Sequence, residues 1–147
     1  MSGLNVNSAE VVVVTAEPYG YCVLHWAAYF DDINSFESLL FDERSQLTGK
    51  SKNGNTTLHI SASQNSLRVL RRIISEFKVR NISVDQRNNW NETPLHMAVA
   101  ACCESAVMEL ITNGASLNCQ DAWGRTPYRV CNKIFIFISK FSIFHQV

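Results

Sequence analysis

Apolar residues recur along the chain at spacings of three and four, which places them on one face of a helix. The stripes consist of Phe36, Leu39 and Leu40, of Leu70, Ile73 and Ile74, and of Val107, Leu110 and Ile111. Each stripe follows a shorter apolar segment that contains small residues, namely Leu24 with Ala27 and Ala28, Leu58 with Ala62, and Leu95 with Ala98 and Val99. The pattern predicts paired helices near 22–30 and 33–41, 57–64 and 66–77, and 94–101 and 104–113.

A tetrapeptide stands at the head of each predicted pair. Thr93-Pro94-Leu95-His96 corresponds to Thr56-Thr57-Leu58-His59, to Cys22-Val23-Leu24-His25 and, less closely, to Thr126-Pro127-Tyr128-Arg129. The heads are spaced by 34 (22 to 56), 37 (56 to 93) and 33 (93 to 126) residues. Threonine can cap a helix, and proline suits the first helical position because its missing N–H costs nothing there. A period near 33 with this head is typical of ankyrin repeats.

The resemblance to ankyrin repeats implies an all-α solenoid of helix-turn-helix pairs joined by β-hairpin finger loops. About three repeats and a broken fourth are expected. The predicted organisation is a lead at 1–19, an array at 20–132 and a non-repeat tail at 133–147; within the array the repeats are expected at 20–52, 53–89 and 90–122, with a partial repeat at 123–132. The lead contains Gly3-Leu4-Asn5-Val6-Asn7, which resembles the end of a preceding repeat.

The tail has no ankyrin character. From Ile134 to Phe144 it alternates β-branched and aromatic residues, and Lys140 is the only charge in that stretch. This pattern conflicts with the helix expected there. The tail could cover the open face of the third repeat, or it could be a read-through remnant of a truncated transcript, which is the preferred interpretation.

The second repeat is longer than its neighbours. Four extra residues fall between Glu76 and Ser83, where we predict a long loop in place of the usual Gly-Ala. This connection, together with the segments 53–59, 87–99 and 118–127, resembles the opening repeats of the inhibitor-of-NF-κB (IκB-like) group over roughly residues 53–131. The resemblance implies a non-enzymatic regulator that binds a Rel-homology (NF-κB-type) transcription factor in the cytoplasm or the nucleus.

The finger loops and the inner helices provide the candidate binding residues. Trp90 and Trp123 occupy the same finger position, three residues before their heads, and Tyr19 is their counterpart in the first repeat. These rings could stack on neighbouring fingers and stiffen the row, or they could anchor a partner protein. The predicted protein-binding residues are Asn53, Gln64, Trp90, Asn91, Ala101, Glu104, Trp123 and Arg125.

The amino-acid composition limits the classes of partner that the sequence predicts. Lys and Arg total 13 and Asp and Glu total 13, so no basic field predicts direct binding of nucleic acid. No run of 18 apolar residues predicts a membrane span, and Val11 to Val14 is too short for a signal peptide. The five cysteines are interpreted as reduced thiols of an intracellular protein.

Other candidate sites are interpreted as structural. Gly49-Lys50-Ser51 resembles the end of a phosphate-binding loop, but Arg44 stands where the first glycine is required. The histidines of successive heads are expected about 8–10 Å apart, too far to share one metal ion. We therefore predict no catalytic residue, no metal, no cofactor and no small-molecule substrate. A general adaptor or scaffold, and an ankyrin fragment of a larger phospholipase-type or kinase-type enzyme, remain as alternatives.

Overall fold

The computed structural model describes residues 19–42 and 46–130, and its secondary structure is helical. The helices are α1 (Val23–Tyr29), α2 (Ile33–Leu40), α3 (Thr57–Ser63), α4 (Leu67–Arg80), α5 (Pro94–Ala100), α6 (Glu104–Thr112) and α7 (Pro127–Val130). The inner helices α1, α3, α5 and α7 follow the four heads, and α2, α4 and α6 form an outer row. The predicted all-α solenoid is confirmed. The division into lead, array and tail stays a prediction, and the predictions for residues 1–18 and 131–147 lie outside the described residues.

The head residues start the inner helices through their own hydrogen bonds. Thr56 and Thr93 are the N-caps of α3 and α5, and each hydroxyl accepts the backbone N–H of the histidine three residues later. The ring Nδ1 of that histidine accepts the threonine backbone N–H in return, at 3.2 Å for His59 and 3.1 Å for His96. Two amides that a helix start leaves unpaired are satisfied in this way. Pro94 occupies the first turn of α5, as its fixed φ favours.

Two outer helices receive a cap from the preceding repeat. Asp31 and Asn65 lie nine residues after their heads, and both adopt positive φ, 55° and 54°. The Asp31 carboxylate accepts the Val69 N–H of α4 at 2.9 Å, and the Asn65 carbonyl oxygen accepts the Ala106 N–H of α6 at 3.2 Å. Each interhelix turn therefore satisfies an amide in the first turn of the next outer helix.

The predicted loop between Glu76 and Ser83 is wrong, because most of it is helix. Helix α4 continues to Arg80 and ends at Asn81, which takes the left-handed conformation at φ 57°. Glu76 pairs with Arg72 at 3.0 Å and with Arg80 at 2.8 Å, one turn away on either side. These ion pairs and the burial of Phe77 stabilise an extra helical turn, which side-chain spacing alone did not indicate.

The core runs without a break from the first repeat to the third. Leu24, Leu58 and Leu95 hold the same head position and are at most 1% exposed. Ile73, Ile74 and Leu110 of the predicted stripes are buried in the same core. Ile111, the last residue of the third stripe, is only partly buried against it. Within the described ranges, no helix combines the length and apolar character that crossing a bilayer requires.

Candidate protein-binding face

Each finger turns at a residue with positive φ, two positions before the head. Gly20, Gly54, Asn91 and Gly124 have φ values of 65°, 79°, 60° and 77°. Asn91 takes the position that glycine holds in the other fingers, since asparagine tolerates this conformation better than most residues. The finger turns therefore share one backbone shape despite their different sequences.

In the second, third and fourth fingers, a side chain accepts backbone hydrogen bonds that hold the turn closed. The Asn88 side-chain oxygen accepts the N–H of Trp90 at 3.0 Å and of Glu92 at 2.9 Å. Asp121 accepts the N–H of Trp123 and of Arg125, both at 2.9 Å. In the second finger the Ser51 hydroxyl accepts the Asn55 N–H at 3.1 Å. Such Asx-type bonds fix the fingertip geometry without a β-ladder.

Backbone hydrogen bonds join each finger to the next. Lys52 N–H donates to Tyr19 O at 2.9 Å, Asn89 N–H to Asn53 O at 3.0 Å, and Ala122 N–H to Trp90 O at 2.9 Å. The fingers thus form a row in fixed register, although no strand is assigned among the residues that the structure describes. Within the fingers, backbone hydrogen bonds also close the hairpin turns, from Ser51 N–H to Asn55 O at 2.8 Å, from Asn88 N–H to Glu92 O at 3.0 Å and from Asp121 N–H to Arg125 O at 2.9 Å.

The head histidines connect each inner helix to the following finger. His59 Nε2 lies 2.8 Å from Glu92 O, and His96 Nε2 lies 2.9 Å from Arg125 O, so each bond crosses to the next repeat. His25 Nε2 contacts Gly49 O at 2.8 Å. Because Nδ1 of His59 accepts an amide proton, its Nε2 carries the hydrogen that it donates to the carbonyl. Burial lowers the pKa of His59 to about 4 and keeps the ring neutral.

The two predicted anchor tryptophans lie at neighbouring fingertips. Trp90 is 40% exposed and Trp123 is 63% exposed. Neither indole contacts another aromatic ring among the described residues. Instead the Arg125 guanidinium lies 5.0 Å from the Trp123 ring centre and pairs with Asp121 at 2.8 Å. This contact fixes the guanidinium beside the indole and leaves much of the indole accessible.

The other predicted binding residues are exposed, but they do not all lie on one element. Asn53 and Asn91 are in fingertips, and Gln64 and Ala101 are the C-cap residues of α3 and α5. Glu104 is the first residue of the outer helix α6, so its predicted position on an inner helix is wrong. The turn after Ala101 contains only two residues, so the outer helix α6 already begins at Glu104.

The sequence interpretation missed a cluster of rings on the first inner helix. Tyr29 and Phe30 lie seven and eight residues after their head, where the second repeat has Ser63 and Gln64. Trp26, one turn earlier, contacts both rings, with centroids 5.6 Å and 5.9 Å away. Aligning the repeats position by position reveals the difference, which the helix-period pattern alone does not.

The thiols and the other polar groups of the described residues form no recognised metal site. Cys22, Cys103 and Cys119 are free cysteines. Within the described ranges, no group of three or more histidine, cysteine, aspartate or glutamate side chains could hold a metal ion. The pKa of Cys103 is raised by burial.

Comparisons with known proteins agree with the periodicity. The family model described as ankyrin repeats in three copies matches residues 24–121. The B-cell lymphoma 3 protein homolog of Mus musculus is 41% identical over 75 residues, which are 51% of this chain and 17% of that protein. The NF-kappa-B inhibitor zeta of Bos taurus is 34% identical over 90 residues, 58% of this chain and 12% of that protein.

The nuclear factor NF-kappa-B p105 subunit of Rattus norvegicus is 27% identical over 97 residues, 65% of this chain and 10% of that protein. The chain thus spans less than a fifth of the length of the curated relatives it matches. The predicted resemblance to IκB-like proteins is confirmed. Together the repeats and these relatives point to a non-enzymatic interaction domain.

Proposed function

The chain belongs to the ankyrin-repeat family, and we propose that it is an IκB-like regulator whose fingers and inner helices bind a Rel-type transcription factor. The observation that carries the proposal is the pair of partly exposed indoles, Trp90 and Trp123, on adjacent fingers that are held in register. Large aromatic side chains on a rigid scaffold are the usual energetic centres of a protein interface, because they bury much area at little entropic cost.

The relatives support this choice of partner. One of them is named an NF-kappa-B inhibitor and another an NF-kappa-B subunit. The ankyrin-repeat match over residues 24–121 includes Trp90. A regulator of this kind acts in the cytoplasm or the nucleus, with no direct contact to nucleic acid and with no cofactor. Its interface comprises Asn53, Gln64, Trp90, Asn91, Ala101, Trp123 and Arg125, with Glu104 at the edge.

The indoles provide the direct test. We expect Trp90→Ala to weaken binding of a purified Rel-homology domain by at least about 2 kcal/mol, roughly 30-fold in Kd, as removal of an anchor does. Phe41→Ala is the matched control, because Phe41 is an exposed ring at the end of the outer helix α2, away from the fingers. Titration calorimetry measures the affinity, and circular dichroism checks that each variant stays folded.

Two outcomes would contradict the proposal. Unchanged affinity in a folded Trp90→Ala protein would give the indole a structural role only. Absence of binding to every Rel-homology domain tested would remove the Rel-type partner and leave the general adaptor as the better description.

A further inference from the structure

The first finger and helix α1 carry a groove built from aromatic rings. Its volume is about 560 Å³, and its lining is Tyr19, Tyr21, Trp26, Tyr29 and Phe30. The rings hold one another in place. The ring centroids of Tyr21 and Trp26 lie 4.8 Å apart and those of Tyr29 and Phe30 lie 5.0 Å apart, and both pairs are edge to face. This geometry stabilises aromatic pairs and makes the groove a pre-formed surface.

The fold does not require these rings. At the same two positions after the head, the second repeat has Ser63 and Gln64, and the third has Ala100 and Ala101, yet their helices form in the same way. Phe30 is 69% exposed and Tyr19 is 56% exposed. A contiguous apolar patch that packing does not demand is typical of a binding site.

The polar groups at the groove define what fits it. Three of the five lining residues are tyrosines, whose hydroxyls can donate hydrogen bonds to carbonyls that have no partner. Burial raises the pKa of Tyr21 and so keeps its hydroxyl protonated. The described lining has no carboxylate and no cation, so the ligand part that enters it is apolar with free carbonyls.

A lysine at the finger edge adds a charge preference. The Lys52 N–H donates to Tyr19 O at 2.9 Å, which places Lys52 directly beside the groove. Its exposed side chain forms no ion pair with any carboxylate in the part of the chain that the structure describes. Asp31, which follows Phe30 in the chain, is already engaged by Arg68 at 3.1 Å and by α4, and the Asp32 carboxylate accepts the Ser35 hydroxyl at 2.6 Å. Lys52 therefore provides a positive charge without a carboxylate partner at the finger edge of the groove.

We propose that the groove binds an extended proline-rich segment of a partner protein that carries acidic residues where it passes Lys52. A polyproline II chain has no internal hydrogen bonds, so its carbonyls remain free for the tyrosine hydroxyls. Its flat proline rings pack on aromatic faces, and it loses little entropy on binding because it is already extended. This surface is distinct from the indoles of the third and fourth fingers and extends the proposed binding role to a second ligand class.

The test uses the full chain and a fluorescent peptide, Pro-Pro-Leu-Pro-Pro-Asp-Glu-Glu, in fluorescence anisotropy. We expect saturable binding that Phe30→Ala weakens at least tenfold, while Phe41→Ala leaves it unchanged. Phe41 is the sharp control because it is 70% exposed against 69% for Phe30, but lies outside the groove. Lys52→Glu should weaken binding at least threefold and should remove the preference for this peptide over one ending in Lys-Lys-Lys. Lys78→Glu, an exposed lysine on α4, should do neither.

Other results would overturn the inference. Equal binding of a peptide in which glycine and serine replace the prolines would exclude proline recognition. Displacement of the probe by a synthetic peptide of residues 1–18, or concentration-dependent dimerisation that Phe30→Ala abolishes, would assign the groove to the chain itself or to a second copy. Loss of peptide binding on Trp90→Ala would merge the two surfaces. Failure of the peptide with intact binding of a Rel-homology domain would overturn this inference alone.

Discussion

The first repeat and the two that follow share one scaffold and present different surfaces. Leu24, Leu58 and Leu95 are equivalent and buried, and the finger turns before all of their heads have positive φ. Seven and eight residues after the head, however, the first repeat has two large rings and the others have small or polar residues. The difference teaches that head and finger positions specify the fold, whereas the exposed end of the inner helix is free to specify a ligand.

The largest difference in stability is expected between truncation of a buried head leucine and truncation of an exposed ring of the groove. We expect Leu24→Ala and Leu95→Ala each to lower the free energy of unfolding by about 2–5 kcal/mol, because each leaves a cavity in the core. Phe30→Ala should cost less than about 0.5 kcal/mol, as exposed substitutions usually do. Urea unfolding followed by circular dichroism measures all three. A loss of 2 kcal/mol in Phe30→Ala would make the rings part of the core.

Lowering the pH should destabilise the second repeat, because His59 in its head is buried in the neutral form. The folded-state pKa of His59 is about 4 and its unfolded pKa is about 6.5. Between these values the unfolded chain binds a proton that the folded chain does not. The free energy of unfolding should therefore fall as the pH drops from about 7 to about 4, by at most about 3 kcal/mol, and this contribution should level off below pH 4. An NMR titration of His59 with a midpoint above pH 6 would contradict the prediction.

Two glycines in the finger turns allow the cost of backbone strain to be measured separately from the cost of steric contact with the next finger. Gly54 and Gly124 have nearly equal φ, 79° and 77°. A Cβ added at Gly54 would lie 2.7 Å from the Asn89 backbone N, whereas at Gly124 it meets no described atom within 4 Å. Gly124→Ala should therefore cost only the left-handed strain of about 1–2 kcal/mol, and Gly54→Ala at least about 1 kcal/mol more. If the two variants lowered the denaturant midpoint equally, the contact between fingers would add nothing to the cost of Gly54→Ala.

The smallest effect should come from the interhelix turns. Asp31→Ala removes the cap of α4 and should cost about 1 kcal/mol, and Asn65→Ala should cost a similar amount at α6. Asp31→Asn is the matched control, since it keeps an oxygen acceptor for the Val69 N–H. If Asp31→Asn destabilises as much as Asp31→Ala, the ion pair with Arg68 rather than the cap accounts for the loss. Thermal unfolding at low and high salt distinguishes the two contributions.

Much of the fold could be predicted from local sequence. The heads predicted the inner helices to within one residue at each end, because cap, proline and apolar period all indicate the same start. Helix α4 was predicted three residues too short, since its last turn depends on Glu76 pairing with two arginines. Of the candidate site, the indoles were found by position, whereas the aromatic groove was not, because helix-period analysis treats every ring as core.

The sequence by itself determined the repeat length, the heads, the finger turns and the buried leucines, because these rest on contacts within one repeat or on backbone conformations that few residues adopt. Only the tertiary structure decided which repeat caps which helix, that His59 is buried and neutral, and that five rings from a finger and an inner helix meet in one groove. The caps and the burial of His59 depend on stacking, which brings residues more than 30 positions apart into contact and removes water from between them. The groove depends instead on how the first finger packs against its own inner helix, since its rings all lie between Tyr19 and Phe30.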